Sequence, residues 1–240
     1  MSYTAKEIAS VTDATIVGDP EFIIRNIAID SRTLTAPESV MFIAIRGVRH
    51  NGHNFIADLY QHGLRCFLVD QFFQDFGEEG TWLVVDDCLE AFQKLAAFHR
   101  SNFNIPVIGI TGSNGKTILK EWIYQCLHHR VNIVRSPRSF NSQVGVPLSA
   151  WLIESQHQLA ILEAGISKPG EMEKLEKIIQ PTLGIFTNIG EVMCFIYILT
   201  VFTLYFNIYT YIFIMRLRNV LFNIFTRCRV DEFHSYGIYL

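Results

Sequence analysis

The sequence predicts an α/β protein, and two observations carry that prediction. Along residues 1–191, short apolar stretches bounded by turn residues alternate with stretches whose apolar residues recur at helical spacing. A glycine-rich segment, residues 110–117, stands between one such apolar stretch and a helical pattern. Half of the 240 residues are hydrophobic, so the chain has enough apolar material for a buried core.

The charge balance and the cysteines narrow the class of protein. With 20 basic and 23 acidic side chains, the formal net charge is −3, which gives no reason to expect a nucleic acid as a partner. The five cysteines form no Cys-x-x-Cys pair and no metal-ligand spacing with histidine. Because the chain starts with polar residues rather than a signal peptide, we expect free thiols and a cytoplasmic location.

The first 86 residues are predicted to form one α/β domain. We expect a helix over 4–11, strands over 15–17, 23–30 and 40–45, a helix over 55–62, and strands over 66–69 and 82–85. The apolar residues from Leu89 to His99 then recur at helical spacing, which predicts one connecting helix within a linker over residues 87–103.

A second α/β unit is predicted over residues 104–191. It begins with a strand over 107–110, followed by the glycine-rich segment and a helix over 117–128. The remaining expected elements are strands over 133–135, 159–163 and 183–187 and a helix from about 170 to 179.

The glycine-rich segment has the features of a phosphate-binding loop. The strict P-loop pattern places a glycine at position 110, which is Ile110 here, so residues 112–117 are a shorter Gly-x-x-Gly-Lys-Thr form. Glycines let backbone N–H groups approach phosphate oxygens, Lys116 can neutralise the β and γ phosphates, and the Thr117 hydroxyl can coordinate Mg²⁺. The alternative is an ordinary glycine turn with Lys116 merely solvated. The strand before the loop and the helix after it favour a site for a nucleoside triphosphate.

The sequence of residues 111–117, Thr-Gly-Ser-Asn-Gly-Lys-Thr, resembles the corresponding loop of the Mur ligase family, which uses this shorter form. Residues 139–148, 162–172 and 187–190 resemble further family motifs in the same order. In the first part of the chain, residues 30–32, 42–47 and 52–55 resemble the elements that recognise the UDP end of the precursor. Glu163-Ala-Gly followed by Pro169-Gly-Glu-Met resembles the branch of the family that adds D-alanyl-D-alanine.

The resemblance implies a fold and a reaction. The fold would be an N-terminal Mur-ligase α/β domain followed by an incomplete P-loop-type central α/β domain. In the implied reaction, ATP with Mg²⁺ phosphorylates the terminal carboxylate of UDP-N-acetylmuramoyl-tripeptide, and the amine of D-Ala-D-Ala then attacks the acyl phosphate. A related ligase of the Mur or folylpolyglutamate type, acting on a different acid, is the alternative within this class.

The resemblance also assigns roles to particular residues. The implied ATP-binding residues are Gly112, Ser113, Asn114, Gly115, Lys116, Thr117 and Asn188, with Lys116 as the catalytic residue. The implied metal ligands are Thr117 and Glu163, the second of which ends an apolar strand, where open α/β sheets place their ligand sites. The implied substrate-binding residues are Ser31, Arg32, Gly47, His53 and Asn141.

Each of these roles has a structural alternative. Asn141 and Asn188 would serve equally well in turns, and Asp30-Ser31 as a helix cap. A lone histidine after a glycine, as at His53, is more often a packed or capping residue than a ligand. Glu163 would otherwise be a solvated acid at a strand end.

The last segment, residues 192–240, departs from the family pattern. After Glu191 the family continues with a small residue and a histidine, whereas Val192 and Met193 follow here, and no later segment supplies the family's metal-binding lysine or third domain. We therefore expect that this chain as written does not complete the ligation.

Three interpretations of residues 192–240 stay open. The uncharged apolar stretch 192–215, flanked by Arg216 and Arg218, is a candidate transmembrane helix, which would make the protein a membrane-anchored nucleotide-binding module. Its Phe, Ile, Tyr and Asn bias is also what AT-rich DNA translated out of frame gives. The third interpretation is a novel folded cap on the central domain.

Overall fold

The computed structural model describes residues 1–33, 37–47, 50–72 and 79–188. The predicted tail over 192–240, with its three interpretations, lies outside these residues. Within the described ranges, none of the helices combines the length and the apolar character needed to cross a membrane. The buried cysteines Cys66 and Cys88 are free thiols, as expected.

The first sheet contains five strands from residues 15–84. In chain order the strands of this half are β1 (Tyr3–Thr4), β2 (Thr15–Val17), β3 (Ile23–Ile24), β4 (Asn26–Ala28), β5 (Val40–Ile43), β6 (Cys66–Val69) and β7 (Thr81–Val84). The sheet has the order β2-β7-β6-β5-β4, with β2 antiparallel to β7 and the other pairs parallel. The separate pair β1-β3 is antiparallel.

Both faces of this sheet are covered, which explains why β5 and β6 are buried at every position. Helix α1 (Ala5–Thr12) packs on one face, and α2 (Ile56–Gln61), preceded by a 3₁₀ turn over Gly52–Phe55, packs on the other. Thr4 and Glu7 form a reciprocal capping box at the start of α1, and Asp13 ends the helix in a left-handed conformation.

The strand predicted over residues 23–30 is wrong as a single element. The segment divides at Arg25, because β3 pairs with β1 whereas β4 pairs with β5 in the larger sheet. The Arg25 N–H donates to the Ser39 carbonyl oxygen at 2.8 Å between the two strands. The segment divides where its pairing partner changes. A local alternation pattern carries no information about which distant strand a segment pairs with.

The second sheet contains four parallel strands. They are β8 (Val107–Thr111), β9 (Ile133–Arg135), β10 (Leu159–Glu163) and β11 (Leu183–Phe186), in the order β11-β8-β10-β9. Helix α4 (Lys116–Leu127) covers one face, and α5 (Gly145–Trp151) and α6 (Glu171–Ile179) lie on the other side. The predicted α/β fold is therefore confirmed for the described residues.

Helix α5 occupies part of residues 139–148, a segment for which the apolar pattern predicted no helix. Pro147 is compatible with this helix because it lies in the first turn, where its missing N–H would have no helical partner. The Ser142 hydroxyl accepts the Gly145 N–H at 3.1 Å, and Val146 and Ala150 are buried on one face. The helix is too short for its apolar periodicity to stand out in the sequence.

Helix α3 (Cys88–Ser101) joins the two sheets. Asp87 caps it by accepting the N–H groups of Leu89 and Glu90, and it packs against α1 on one side and α5 and α6 on the other. One cluster of buried apolar side chains runs through these helices without a break. The proposed division into domains at residues 86 and 103 stays a prediction, and α3 is the element shared by both parts.

Candidate functional site

The carboxyl ends of the four parallel strands bring the predicted nucleotide and metal residues to one edge of the second sheet. The glycine-rich loop follows β8, Glu163 ends β10, Ser136 follows β9, and Asn188 lies just beyond β11. This edge is where open α/β sheets bind ligands, because each strand delivers a loop there.

Two glycines of the loop adopt backbone conformations that other residues avoid. Gly112 has φ +136° and Gly115 has φ +81°. A Cβ atom on Gly112 would lie 2.1 Å from the Thr187 hydroxyl oxygen, so a side chain is excluded by space as well as by conformation. Gly115 precedes the first residue of α4, which turns the loop directly into the N-terminal end of that helix.

The loop is held against the end of β11. The N–H of Ser113 donates to the Asn188 carbonyl oxygen at 3.1 Å, and the N–H of Asn114 donates to the Asn188 side-chain oxygen at 2.9 Å. Thr187 completes the attachment, because its N–H donates to the Thr111 carbonyl oxygen and its hydroxyl to that of Asn114. Asn188 thus supports the loop itself, while its predicted contact with the nucleotide stays a prediction.

The ammonium group of Lys116 lies against the loop. Its Nζ atom donates to the Gly112 carbonyl oxygen at 2.7 Å, and the side chain is partly buried. A positive charge at this position adjoins the N-terminal end of α4, where the helix dipole also favours anions. The arrangement has the electrostatics that a polyphosphate requires.

The two predicted metal ligands touch each other although they are far apart in the sequence. The Thr117 hydroxyl donates to Glu163 Oε2 at 3.0 Å, and Glu163 is fully buried. The other carboxylate oxygen, Oε1, lies 2.9 Å from Lys120 Nζ but without hydrogen-bond alignment, so it has no hydrogen-bond donor. Buried carboxylate and hydroxyl oxygens side by side are ligands that suit Mg²⁺, so this pair fits the implied metal.

Lys120 is a residue of this site that the sequence reasoning missed. It is fully buried on α4 and donates to the Ser136 carbonyl oxygen at 2.7 Å and to that of Arg138. A signal for it existed, because Lys120 lies one helical turn beyond Lys116 and Thr117 and so shares their side of α4.

Asn141 is brought close to the metal-ligand candidate Glu163 through the chain that follows β10. The Gly165 N–H donates to the Asn141 carbonyl oxygen at 2.7 Å. A Cβ atom on Gly165 would lie 2.9 Å from the Asn141 side-chain oxygen, so glycine is what allows this close approach. Whether the amide contacts a substrate stays a prediction.

The substrate-binding residues predicted in the first part of the chain lie at the carboxyl ends of β4 and β5, on the first sheet. Ser31 lies in a 3₁₀ turn, and Arg32 next to it is 86% exposed. The Arg32 guanidinium binds both oxygens of Asp30, at 2.9 and 2.7 Å, and lowers the pKa of that carboxyl to about 2. Gly47 donates its N–H to the His50 carbonyl oxygen at 2.7 Å.

His53 is a buried side chain rather than one presented at the surface. Its Nδ1 atom lies 2.9 Å from the Asn51 side-chain oxygen, and Nε2 lies 3.0 Å from Asp70 Oδ1. Burial lowers the pKa of His53 even though the Asp70 carboxylate opposes that shift. Arg46 binds both oxygens of Asp70, at 2.5 and 2.7 Å, so the histidine packs beneath an Arg46–Asp70 pair that the sequence reasoning did not single out.

This group does not fit a metal ion, although ligand atoms of His53, Asp70 and Cys88 lie within 4.8 Å of one another. Arg46 already neutralises Asp70 and lowers the pKa of its carboxyl. Burial raises the pKa of the Cys88 thiol to about 12, which disfavours the thiolate that binds metals. Asp70 could have been recognised in the sequence as a candidate site residue, because it directly follows the apolar strand 66–69.

The chain is an α/β protein in which a glycine-rich loop, Lys116 and the contacting side chains of Thr117 and Glu163 meet at the carboxyl edge of a parallel sheet. Residues 110–192 match the Mur ligase middle domain, and the chain belongs to the Mur ligase family. The membership in this family that the sequence motifs predicted is therefore confirmed.

Among the curated relatives, the UDP-N-acetylmuramoyl-tripeptide--D-alanyl-D-alanine ligase of Bacillus subtilis is 32% identical over 191 residues, covering 78% of this chain and 41% of that protein. The protein of the same name from Treponema pallidum is 35% identical over 173 residues, with coverages of 68% and 37%. The chain thus spans about two fifths of the length of these relatives.

Solved structures give the same result. MurF from Acinetobacter baumannii superposes with a TM-score of 0.73 at 30% identity, covering 79% of this chain and 42% of that one. MurF from Thermotoga maritima, solved in complex with ADP, gives a TM-score of 0.62 at 28% identity, with coverages of 69% and 38%. The described fold is therefore that of the corresponding part of these ligases.

Proposed function

We propose that this chain binds ATP with Mg²⁺ at the edge of its second sheet and carries the nucleotide-binding part of a ligase that joins D-Ala-D-Ala to UDP-N-acetylmuramoyl-tripeptide, a reaction that the chain as written is not expected to complete. The observation that carries the proposal is the contact between Thr117 and Glu163 at 3.0 Å beside the phosphate loop. The names of the relatives supply the substrates, and the structural neighbour from Thermotoga maritima, solved in complex with ADP, supports the nucleotide.

The nucleotide would be held by the loop and the start of α4. The N–H groups of residues 112–117 and the positive end of the helix attract phosphate oxygens, and Lys116 neutralises the charge on the β and γ phosphates. Thr117 and Glu163 would hold Mg²⁺, which when bound supplies neutralisation of phosphate and carboxylate oxygens.

The reaction then depends mainly on positioning. A carboxylate oxygen of the tripeptide attacks the γ-phosphorus of ATP, and ADP leaves with the electron pair of the broken bond. The amine of D-Ala-D-Ala attacks the resulting acyl phosphate, forming the amide and releasing phosphate. Asn141, whose carbonyl oxygen accepts the Gly165 N–H, would orient the carboxylate beside Glu163.

The UDP end of the precursor would be bound at the first sheet. Arg32 offers an exposed guanidinium whose planar group suits phosphate oxygens, and Ser31 offers a hydroxyl beside it. Gly47 lies next to Arg46, whose side chain is fixed by Asp70 above the buried His53. His53 therefore acts in this proposal by fixing Asp70 rather than by touching the nucleotide. The reaction draws on UDP precursors and ATP, which supports a cytoplasmic location.

Calorimetric titration of the purified chain with ATP and Mg²⁺ tests the nucleotide part of the proposal. We expect binding by the wild type and, for Lys116→Ala, a loss of about tenfold or more in affinity, because a charge-assisted phosphate contact contributes roughly 1.5–3 kcal/mol. Lys174→Ala is the matched control, since Lys174 is exposed on α6. Equal affinity of the two variants would contradict the assigned site.

Thermal-shift titration tests the substrate part. UDP-N-acetylmuramoyl-tripeptide should raise the melting temperature more than UDP-N-acetylmuramic acid precursors with shorter peptides or a folate, because ligands stabilise the state that binds them. A larger shift with a folate or with another precursor would instead favour the related-ligase alternative. The membrane-module alternative depends on residues 192–215, and fractionation of the protein with membranes would favour it.

A further inference from the structure

We propose that Lys120 is a positioning residue, which couples the phosphate-loop helix to the turn over residues 136–138 and through it to Asn141 and Glu163. The inference rests on the proposed function for its nucleotide-dependent part. Through this side chain the nucleotide side of the site and the acid-substrate side are held in a fixed relative position.

Lys120 is buried although its side chain ends in an ammonium group. Its side chain is fully buried, and burying an ammonium group is costly unless its three N–H donors are used. Two of them bind backbone carbonyl oxygens, those of Ser136, at 2.7 Å, and Arg138. The same ammonium lies 2.9 Å from Glu163 Oε1 and 3.3 Å from Glu121 Oε1.

The turn that receives Lys120 has a conformation that needs support. Arg138 has φ +49°, in the left-handed region that residues with a Cβ rarely adopt, and its carbonyl oxygen is one of the two that Lys120 binds. On the other side, the Ser136 hydroxyl accepts the N–H of Glu163 at 3.0 Å. The turn is therefore clamped between Lys120 and the backbone of the metal-ligand candidate.

The chain from this turn to Asn141 is short and contains two backbone hydrogen bonds. The Phe140 N–H donates to the Pro137 carbonyl oxygen at 3.1 Å, and the Asn141 N–H donates to that of Ser139 at 2.8 Å. The carbonyl oxygen of Asn141 accepts from Gly165. A displacement of α4 that moves Lys120 is therefore passed to Asn141 and to the end of β10 together.

A charged side chain with several donors is needed for this coupling, and packing alone would not give it. An apolar residue of similar length would leave the carbonyl oxygens of Ser136 and Arg138 without this donor and the Glu163 carboxylate without its counter-charge. Because Lys116, Thr117 and Lys120 lie on the same side of α4, phosphate contacts and the turn contacts are made by one rigid helix.

Hydrogen exchange of the full chain tests the coupling without any ligand. Lys120→Met should speed amide exchange over residues 136–141 by about tenfold relative to the wild type, whereas α6 should be unchanged, since loss of local support lowers local opening free energy. Lys174→Met, the same substitution at an exposed lysine, is the control. Wild-type exchange over 136–141 in a folded Lys120→Met would overturn the inference.

A second arm adds ATP with Mg²⁺. Nucleotide should slow exchange over 136–141 in the wild type, and in Lys120→Met this slowing should be lost while nucleotide affinity falls by less than about fivefold, since Lys120 does not touch the phosphates. Retention of the slowing in Lys120→Met would also overturn the inference. If the wild-type chain binds no nucleotide, the proposed function is contradicted. The ligand-free exchange measurement then still tests whether Lys120 supports the turn over residues 136–138.

A gentler variant covers the case in which Lys120→Met does not fold. Lys120→Gln keeps an N–H donor on a side chain one atom shorter and lacks the charge, so it should fold and show exchange over 136–141 between that of the wild type and that expected for full loss of contacts. Circular dichroism checks the fold. A folded Lys120→Gln with wild-type exchange in both arms would contradict the role of Lys120.

Discussion

At the scale of single residues, the buried pair of Glu163 and Lys120 sets the character of the site. Both side chains are fully buried and lie 2.9 Å apart. Two opposite charges in a low-dielectric interior are tolerated together, but either one alone is expensive. Lys120 thus holds Glu163 in place beside Thr117.

We predict that Glu163→Gln lowers the free energy of unfolding by about 3 kcal/mol, because it leaves the ammonium of Lys120 buried without its partner. Urea denaturation measures the change. Glu173→Gln is the matched control, since Glu173 is 61% exposed and pairs with Lys177 along α6, so it should cost less than about 0.5 kcal/mol. Equal costs for the two variants would contradict the role given to the buried pair.

The conformation of Gly112 gives a second prediction at this scale. Gly112→Ala should abolish measurable ATP binding and destabilise the fold, because a Cβ atom there meets the Thr187 hydroxyl oxygen at 2.1 Å. Gly170→Ala is the control: φ is +81° there, but nothing lies within 4 Å of the added atom, so only about 1 kcal/mol of backbone strain is expected. Calorimetry and urea denaturation read the two effects, and unchanged ATP binding by Gly112→Ala would contradict the loop geometry.

At the scale of elements, the sequence predicted where the strands end but not which strands pair with each other. The apolar stretches located β8, β10 and β11, and parallel strands necessarily deliver their carboxyl ends to one edge, so the loop and Glu163 could be placed from the sequence. The division of 23–30 into β3 and β4 depends on pairing with strands elsewhere in the chain.

Long-range contacts also explain the residues that were missed. The sequence places Lys120 on the same side of α4 as Lys116 and Thr117. Its contact with the turn at 136–138, however, forms only in the folded chain. Arg46 and Asp70 lie in different elements, and only the parallel pairing of β5 with β6 brings them together. Helix α5 has few residues and no strong start signal, so local pattern alone did not separate it from a loop.

The 3₁₀ turn that contains Arg32 leads to a prediction for the pKa of Asp30. Arg32 holds the pKa of Asp30 at about 2, so Asp30 should stay ionised in titrations followed by NMR down to about that pH. In Arg32→Gln the pKa of Asp30 should rise towards the ordinary value of about 3.9. Arg25→Gln, outside this pair, should leave the pKa of Asp30 unchanged. A pKa for Asp30 that does not move in Arg32→Gln would contradict the bidentate pair.

At the scale of the whole molecule, α3 carries the contacts between the two sheets. His99 is stacked on Trp151, and its ring nitrogens lie 2.8 Å from the Tyr3 hydroxyl oxygen and 2.9 Å from the Ile153 carbonyl oxygen. Arg100 donates to the carbonyl oxygens of Ile179 and Gln180, at the end of α6. One helix therefore binds the first residues of the chain and the helices of the second sheet.

The buried His99 makes stability depend on pH. Burial lowers its pKa in the folded state, so the unfolded state takes up a proton first and stability falls as pH drops below about 6.5. In His99→Gln the decline of unfolding free energy between about pH 6.5 and 5 should be smaller than in the wild type. His62→Gln is the control, because His62 is 73% exposed. A decline in His99→Gln equal to that of the wild type would contradict this assignment.

We propose that the loop, Thr117 and Glu163 form one site for a nucleotide and its metal, and calorimetric binding of ATP with and without Mg²⁺ tests this directly. The wild-type chain should bind more tightly when Mg²⁺ is present. Thr117→Val, which keeps the shape of the side chain and removes the hydroxyl, should bind ATP with little or no dependence on Mg²⁺. The same dependence on Mg²⁺ in both proteins, or no binding by the wild type, would contradict the account.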